Sequence, residues 1–302
     1  MTSVRTSVSI LGGALAAALL VVACDSGTRP GNGALSQAQA DTIADVMAGQ
    51  ADGLAEGAAF GGTTGPSVDF FASALPRGLL FPFFSRLCTP TSSPSPSTNS
   101  DGDPVPDSVR VDFTGCSLSS PRLTIDVSGM IDFVDPTPTT TDIGLKTRYL
   151  DFMRSVTYND KTTSIKKNGV QLVIRDGANL QLADSAFATD FTFRDGTTAS
   201  HLIDWSTIFT PDSAAVAMNA MRRAWTLPSG TWTINGTSTF THGDRTFSLA
   251  VTTSTPLHFN STCKMAPRFD AGALTVEVMK NDSTSTLNIT FAACGDVQVT
   301  RS

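Results

Sequence analysis

The chain has 302 residues, a formal charge of −6 and 16% charged side chains, against about 25% in an average soluble domain. Nothing in it forms the basic footprint that neutralises nucleic-acid phosphates, so nucleic acid is excluded as a partner. The length suits one large all-β domain or two small ones.

Met1 to Arg5 carries a single charge, Arg5, and Val8 to Ala23 carries none. That apolar run is short for a bilayer span, which needs about 20 residues. A basic start, a short apolar middle and a small residue before a cut describe an export signal over 1–23. The run closes on Val21-Val22-Ala23-Cys24, which resembles the lipobox of bacterial lipoprotein precursors. The resemblance implies lipid on the Cys24 thiol, cleavage before Cys24 and an acylated new amino terminus. It also implies a chain held on a membrane of the cell envelope, facing periplasm or cell surface. Several acyl chains on one residue anchor firmly, at about 0.8 kcal/mol per buried methylene. The competing readings are an ordinary signal peptide or a membrane-spanning helix. Asp25 resembles the inner-membrane retention signal of enteric bacteria; other lineages do not follow that rule, so the leaflet stays open. The resemblance covers the first 24 residues only.

Residues 24–35 are Gly-rich without periodicity and predict a flexible tether. Residues 36–302 read as one mainly-β domain. Within it, 36–60 predicts a helix, with Ile43, Val46, Met47 and Leu54 at helical spacing and Ser36 as its cap; Gly49 and Gly53 weaken its second half. The apolar segment Gly78 to Phe84 is expected under the core, with a membrane-facing or ligand-facing patch as the alternative. Residues 89–108 hold five prolines and nine serines or threonines and predict a surface loop.

From Val109 onward the pattern has period two, the mark of half-buried strands. Leu123, Ile125, Val127, Ile131 and Phe133 alternate with polar residues, with Gly129 placed for a bend. Similar alternation recurs at Val170-Leu172-Ile174, Phe191-Phe193, Trp232-Ile234, Phe247-Leu249-Val251 and Leu274-Val276-Val278. One apolar and one polar face per strand points to antiparallel sheets. The expected fold is a curved antiparallel sheet, β-sandwich or half-barrel with the N-terminal helix. A second short helix is expected over 212–225, with Pro211 at its start. His242-Gly243-Asp244 reads as a hairpin turn between Thr-rich strands. Val109 to Cys116 also aligns without gaps to Leu287 to Cys294, each with Phe three residues before the cysteine, which suggests an internal repeat.

Besides Cys24, the cysteines are Cys88, Cys116, Cys263 and Cys294. An even set in an exported chain reads as disulfides, and four cysteines allow three connectivities. Sequence neighbours close the shortest loops, which favours Cys88–Cys116 and Cys263–Cys294. A zinc site usually groups its ligands as close cysteine pairs, and no such pair occurs.

Signs of catalysis are sparse. There is no Gly-x-Ser-x-Gly elbow and no His-Glu-x-x-His; His201, His242 and His258 read as isolated polar positions, and no cofactor is implied. The segment 99–107 supplies Asp101, Asp103 and Asp107, hard oxygen donors of the kind calcium prefers. It is a fragment of a calcium loop at most, with Pro104 and Arg110 where an EF-hand needs Gly and Glu. The favoured function is a non-enzymatic binding or structural lipoprotein, with a lipid, glycan or protein as ligand. A lipid carrier further requires that the 36–60 segment leave the sheet face open. The alternative is a secreted hydrolase with convergent titratable groups.

Overall fold

The computed structural model describes residues 35, 37, 40, 41, 43, 44, 47, 48 and 91–301, apart from 95–97, 104, 141–143, 194, 216–226, 243, 244, 281 and 282. Among them thirteen strands form one sheet. In chain order these are β1 (Thr91–Ser93), β2 (Ser108–Asp112), β3 (Cys116–Ser120), β4 (Leu123–Val134) and β5 (Gly144–Tyr158). They continue as β6 (Lys161–Asp176), β7 (Asn179–Thr192), β8 (Thr198–Pro211) and β9 (Gly230–His242). The last four are β10 (Arg245–Phe259), β11 (Phe269–Lys280), β12 (Ser283–Ala293) and β13 (Asp296–Arg301).

The sheet is a curved, unclosed antiparallel meander. Strands pair in the order β1-β2-β4-β5-β6-β7-β8-β9-β10-β11-β12-β13. The outer edge of β4 is shared: Leu123 to Val127 pairs with β3, and Met130 to Val134 with β2. Between these two stretches sits Gly129, at φ +88°. Register shifts there and on the next three strands line up across β4–β7. Extra residues on β5 and β7, among them Asp151 and Ala186 in left-handed backbone, lie opposite Gly129 and Gly169. A Cβ on Gly129 would run into the Asp151 carbonyl, and one on Gly169 into that of Ala186. Glycine is what permits the close approach, and the aligned bulges bend the sheet.

Side chains alternate across this curved sheet, and the registers put Phe133, Thr147, Gln171, Asp184 and Trp205 in one row on the concave face. Two apolar clusters lie there. The larger spans β7–β13, with Trp232, Phe209, Phe240, Phe269 and Phe291 fully buried. Leu35, Ala40, Ile43, Ala44, Met47 and Ala48 are buried in the same cluster, and the Arg301 guanidinium donates to the Leu35 carbonyl. The smaller cluster joins Val109, Val111, Phe113, Val127, Ile131, Phe133, Tyr149, Phe152 and Phe187 at the other end.

Several expectations meet the structure directly. Within the predicted loop 89–108, Thr91–Ser93 forms a short edge strand on β2. Pro211 ends β8, paired with Gly230, a position where a missing N–H is tolerated; it does not open a helix. The hairpin at 242–245 is present, with His242 opposite Arg245. The predicted helices over 36–60 and 212–225, the apolar segment 78–84, the signal region 1–23 and the tether 24–35 lie wholly or mostly outside the described residues. No helix among the described residues is long and apolar enough to cross a membrane.

Candidate functional site

Two clusters of polar side chains and two separate histidine sites stand out, each assembled by the fold from positions apart in sequence. The first lies where the loop between β1 and β2 meets the end of β4. Asp101, Asp103 and Asp135 bring a carboxylate oxygen each to within 4.8 Å of one another. The three are held alike. The Asp103 N–H donates to Asp101 Oδ1 (3.0 Å), the Val105 N–H to Asp103 Oδ1 (2.6 Å) and the Thr137 N–H to Asp135 Oδ1 (2.8 Å). Each Oδ1 thus receives the amide two residues on, the Asx-turn geometry favoured by Asp. Each Oδ2 is buried and has no hydrogen-bond partner among the described residues. Burial raises the Asp103 carboxyl above its ordinary value against the Val105 N–H bond, and the charges of Asp101, Asp135 and Asp107 raise it further.

Asp107, expected as the third oxygen donor, does not join this group. Its carboxylate accepts from the Ser100 N–H (2.8 Å) and hydroxyl (2.6 Å), which hold it below the usual carboxylate range. Its backbone serves the cluster instead: the Asp135 N–H donates to the Asp107 carbonyl at 3.1 Å. Asp135, remote in sequence, stands beside Asp101 and Asp103 in its place.

The second cluster sits on the concave face at β5–β7, between the two apolar clusters. Lys167 Nζ lies 5.6 Å from the Tyr149 ring centroid and 5.8 Å from that of Phe187, within cation–π range. Gln171 Nε2 donates to Asp184 Oδ1 at 3.0 Å. Burial lowers the Lys167 ammonium, opposed by the charge of Asp184. Burial likewise raises Asp184, opposed by Gln171 and by Lys167. Every residue from Ser164 to Arg175 on β6 is half-buried. A strand with one face packed into a core alternates between buried and exposed; β6 does not, so its concave face is incompletely filled. The apolar row Val170-Leu172-Ile174 pairs with Arg148, Lys146 and Gly144 and lies on the convex face. There Val170 and Leu172 line a shallow groove with Val134, Pro136, Lys146 and Ala183.

The fold separates the histidines. His201 points into the concave side, 7% exposed, with Nε2 2.7 Å from the Ser238 hydroxyl. Burial pushes it down to about 4. His258 lies on the convex face, with Nδ1 2.5 Å from Asp270 Oδ1 and Nε2 3.1 Å from Asp212 Oδ2, and these two bonds raise it. Asn260 Nδ2 braces Asp270 Oδ2 at 2.7 Å. Phe240 and Thr231, the β9 partners of His201 and His258, stand nine positions apart, about 30 Å along one strand. The buried His201–Ser238 pair couples a base of low affinity for protons to a 2%-exposed hydroxyl, a poor match to a general base poised near neutrality.

Comparison with protein-family models, with curated proteins and with solved structures finds no match. The chemistry therefore rests on the chain's own residues.

Of the cysteines, Cys263 and Cys294 form a disulfide that ties the β10–β11 connection to the turn before β13. Closing a loop of this length stabilises by roughly 3–4 kcal/mol. Cys116 opens β3, is buried and is itself disulfide-bonded; its expected partner, Cys88, lies outside the described residues, as does Cys24. The larger cluster buries residues from the 35–48 stretch, so over β8–β13 the concave face is filled by the chain itself.

Proposed function

We propose that this protein is a lipoprotein of the bacterial cell envelope, anchored through lipid on Cys24, whose sheet domain acts by binding rather than by catalysis. The Val21-Val22-Ala23-Cys24 sequence supports the anchor. The observation that carries the binding role is the half-filled concave face at β6, where Lys167, Gln171 and Asp184 offer polar groups between two apolar clusters. Ligand sites have this composition, mostly apolar with a few convergent polar groups that fix orientation. The ligand is a lipid, glycan or peptide segment that brings a hydrogen-bonding group to Lys167. Cys88–Cys116 completes the disulfide set in this reading.

Mass spectrometry of the protein purified natively from membranes tests both parts. The expected result is a diacylglyceryl-modified, N-acylated Cys24 and a co-purifying molecule that is lost in Lys167→Met. An unmodified N-terminal segment would overturn the anchor. Co-purification unchanged by Lys167→Met and by Gln171→Leu would overturn the concave site.

A further inference from the structure

Separate from the concave face, the loop between β1 and β2 carries a second kind of chemistry. We propose that Asp101, Asp103 and Asp135 hold one calcium ion, which clamps the 98–107 loop to the end of β4. The deciding feature is what these carboxylates lack. Asp103 is 7% exposed and Asp135 2%, yet Oδ2 of each is buried without a hydrogen-bond partner, as is Oδ2 of Asp101. A buried, unpartnered carboxylate oxygen is costly, and buried charges are normally paired or bound to metal. Here three such carboxylates converge, each with one oxygen within 4.8 Å of those of the other two, while the three Oδ1 atoms accept from backbone amides that fix the carboxylates in place.

No basic side chain among the described residues neutralises them. The charges acting on Asp103 are all carboxylates. Arg110, which follows the loop on β2, is committed to Asp132 through Nε (2.6 Å) and Nη2 (2.9 Å). Lys146 lines the same groove as Asp135, but no ion pair joins the two.

Calcium fits the donor set. It takes six to eight oxygens at 2.3–2.6 Å, so it bridges oxygens up to about 5 Å apart, whereas magnesium at 2.0–2.1 Å reaches about 4 Å. The observed limit of 4.8 Å falls wholly within the reach of calcium and only partly within that of magnesium. Three carboxylates leave coordination to be completed by backbone carbonyls and by water on the more exposed Asp101 side. The proposal does not depend on the concave-site reading, because no residue is shared between the two.

Calorimetric titration of calcium into the chelator-treated full-length mature protein tests the site, with the thermal midpoint as a second readout. One calcium per chain is expected, with a dissociation constant at or below the 10⁻⁴–10⁻³ M typical of extracellular modules. Magnesium should bind at least about tenfold more weakly, and calcium should raise the midpoint relative to chelator. Asp135→Asn and Asp103→Asn should each weaken calcium binding at least about tenfold. In chelator both variants should melt no lower than the parent, since each removes a repelling charge without changing shape. Absence of stoichiometric calcium binding would overturn the proposal, as would tighter binding of magnesium. It would also be overturned if both variants bound calcium like the parent.

Discussion

Along the concave face of β8–β13, Trp232, Phe209, Phe240 and Phe269 are sealed by the opposing strands and by buried residues of the 35–48 stretch. Across β2–β5 and β7 the same face holds a smaller cluster in which Phe113 and Phe152 (5.3 Å) and Tyr149 and Phe187 (5.5 Å) meet edge to face, while β6 stays half-buried from Ser164 to Arg175. One continuous antiparallel sheet therefore has a filled end and a partly filled middle. Both are built from alternating strands, so pairing alone does not complete a core; a second layer has to cover the face. The concave polar group lies in the partly filled middle, whereas disulfide-bonded cysteines occur toward both ends, Cys116 in the smaller cluster and Cys263–Cys294 at the filled end.

Truncation within the two regions should expose the difference most strongly. Trp232→Ala removes a fully buried ring packed 5.0 Å from Phe209 and should cost about 3–5 kcal/mol. Ile165→Ala on half-buried β6 should cost roughly 1–2 kcal/mol, because only part of its surface leaves water on folding. Urea unfolding measures both. Equal losses would break the distinction between filled end and open middle.

The sheet itself was largely legible in the sequence. Phe247-Leu249-Val251 and Leu274-Val276-Val278 alternate, and their apolar members are buried as alternation predicts. Val170-Leu172-Ile174 alternates equally well yet faces the convex side. Alternation says that a strand has two unlike faces; which one meets the core depends on pairing and on where apolar residues change sides, here around Gly169. The acidic cluster was half legible. Asp101 and Asp103 stood out by their spacing, but Asp135 reaches them only because β2 pairs with β4 and brings its end beside the loop. His201 and His258 looked alike as single polar positions on strands, and their opposite environments come from tertiary contacts alone. The paired segments Val109 to Cys116 and Leu287 to Cys294 do share a burial pattern, with Val109, Val111 and Phe113 answering to Leu287, Ile289 and Phe291. They lead into strands near opposite edges of the sheet.

Acid should act on the inner side of the filled region. His201 is neutral in the folded protein down to about pH 4, whereas in the unfolded chain it takes up a proton near 6.5. The unfolded state therefore binds more protons between these values. Stability is fully present above about pH 6.5 and falls as the pH drops toward 4, by about 3 kcal/mol in all. His201→Gln should flatten this part of the profile in urea unfolding from pH 7 to 4. A slope unchanged in the variant would show that the loss arises elsewhere, among groups outside the buried pair with Ser238.

The outer side of the same region should respond in the opposite sense and more weakly. His258 is held between Asp270 and Asp212, and its hydrogen bonds to both raise its affinity for protons in the folded state. The folded protein thus binds the proton more tightly than the unfolded chain does. The stabilisation is complete below the unfolded value near 6.5 and is lost as the pH rises through the raised value. Its size is limited, because the imidazole is 32% and the Asp212 side chain 49% exposed, and water screens such pairs. His258→Gln should therefore lower the thermal midpoint more at pH 5.5 than at pH 9, with the gap shrinking at high salt. Because Asp212 follows β8, His258 ends β10 and Asp270 begins β11, the imidazolium bridges three connections on the convex face without touching the concave core. A loss that stayed constant with pH would make His258 a packing residue, and acid and alkali would then probe only the interior of the filled end.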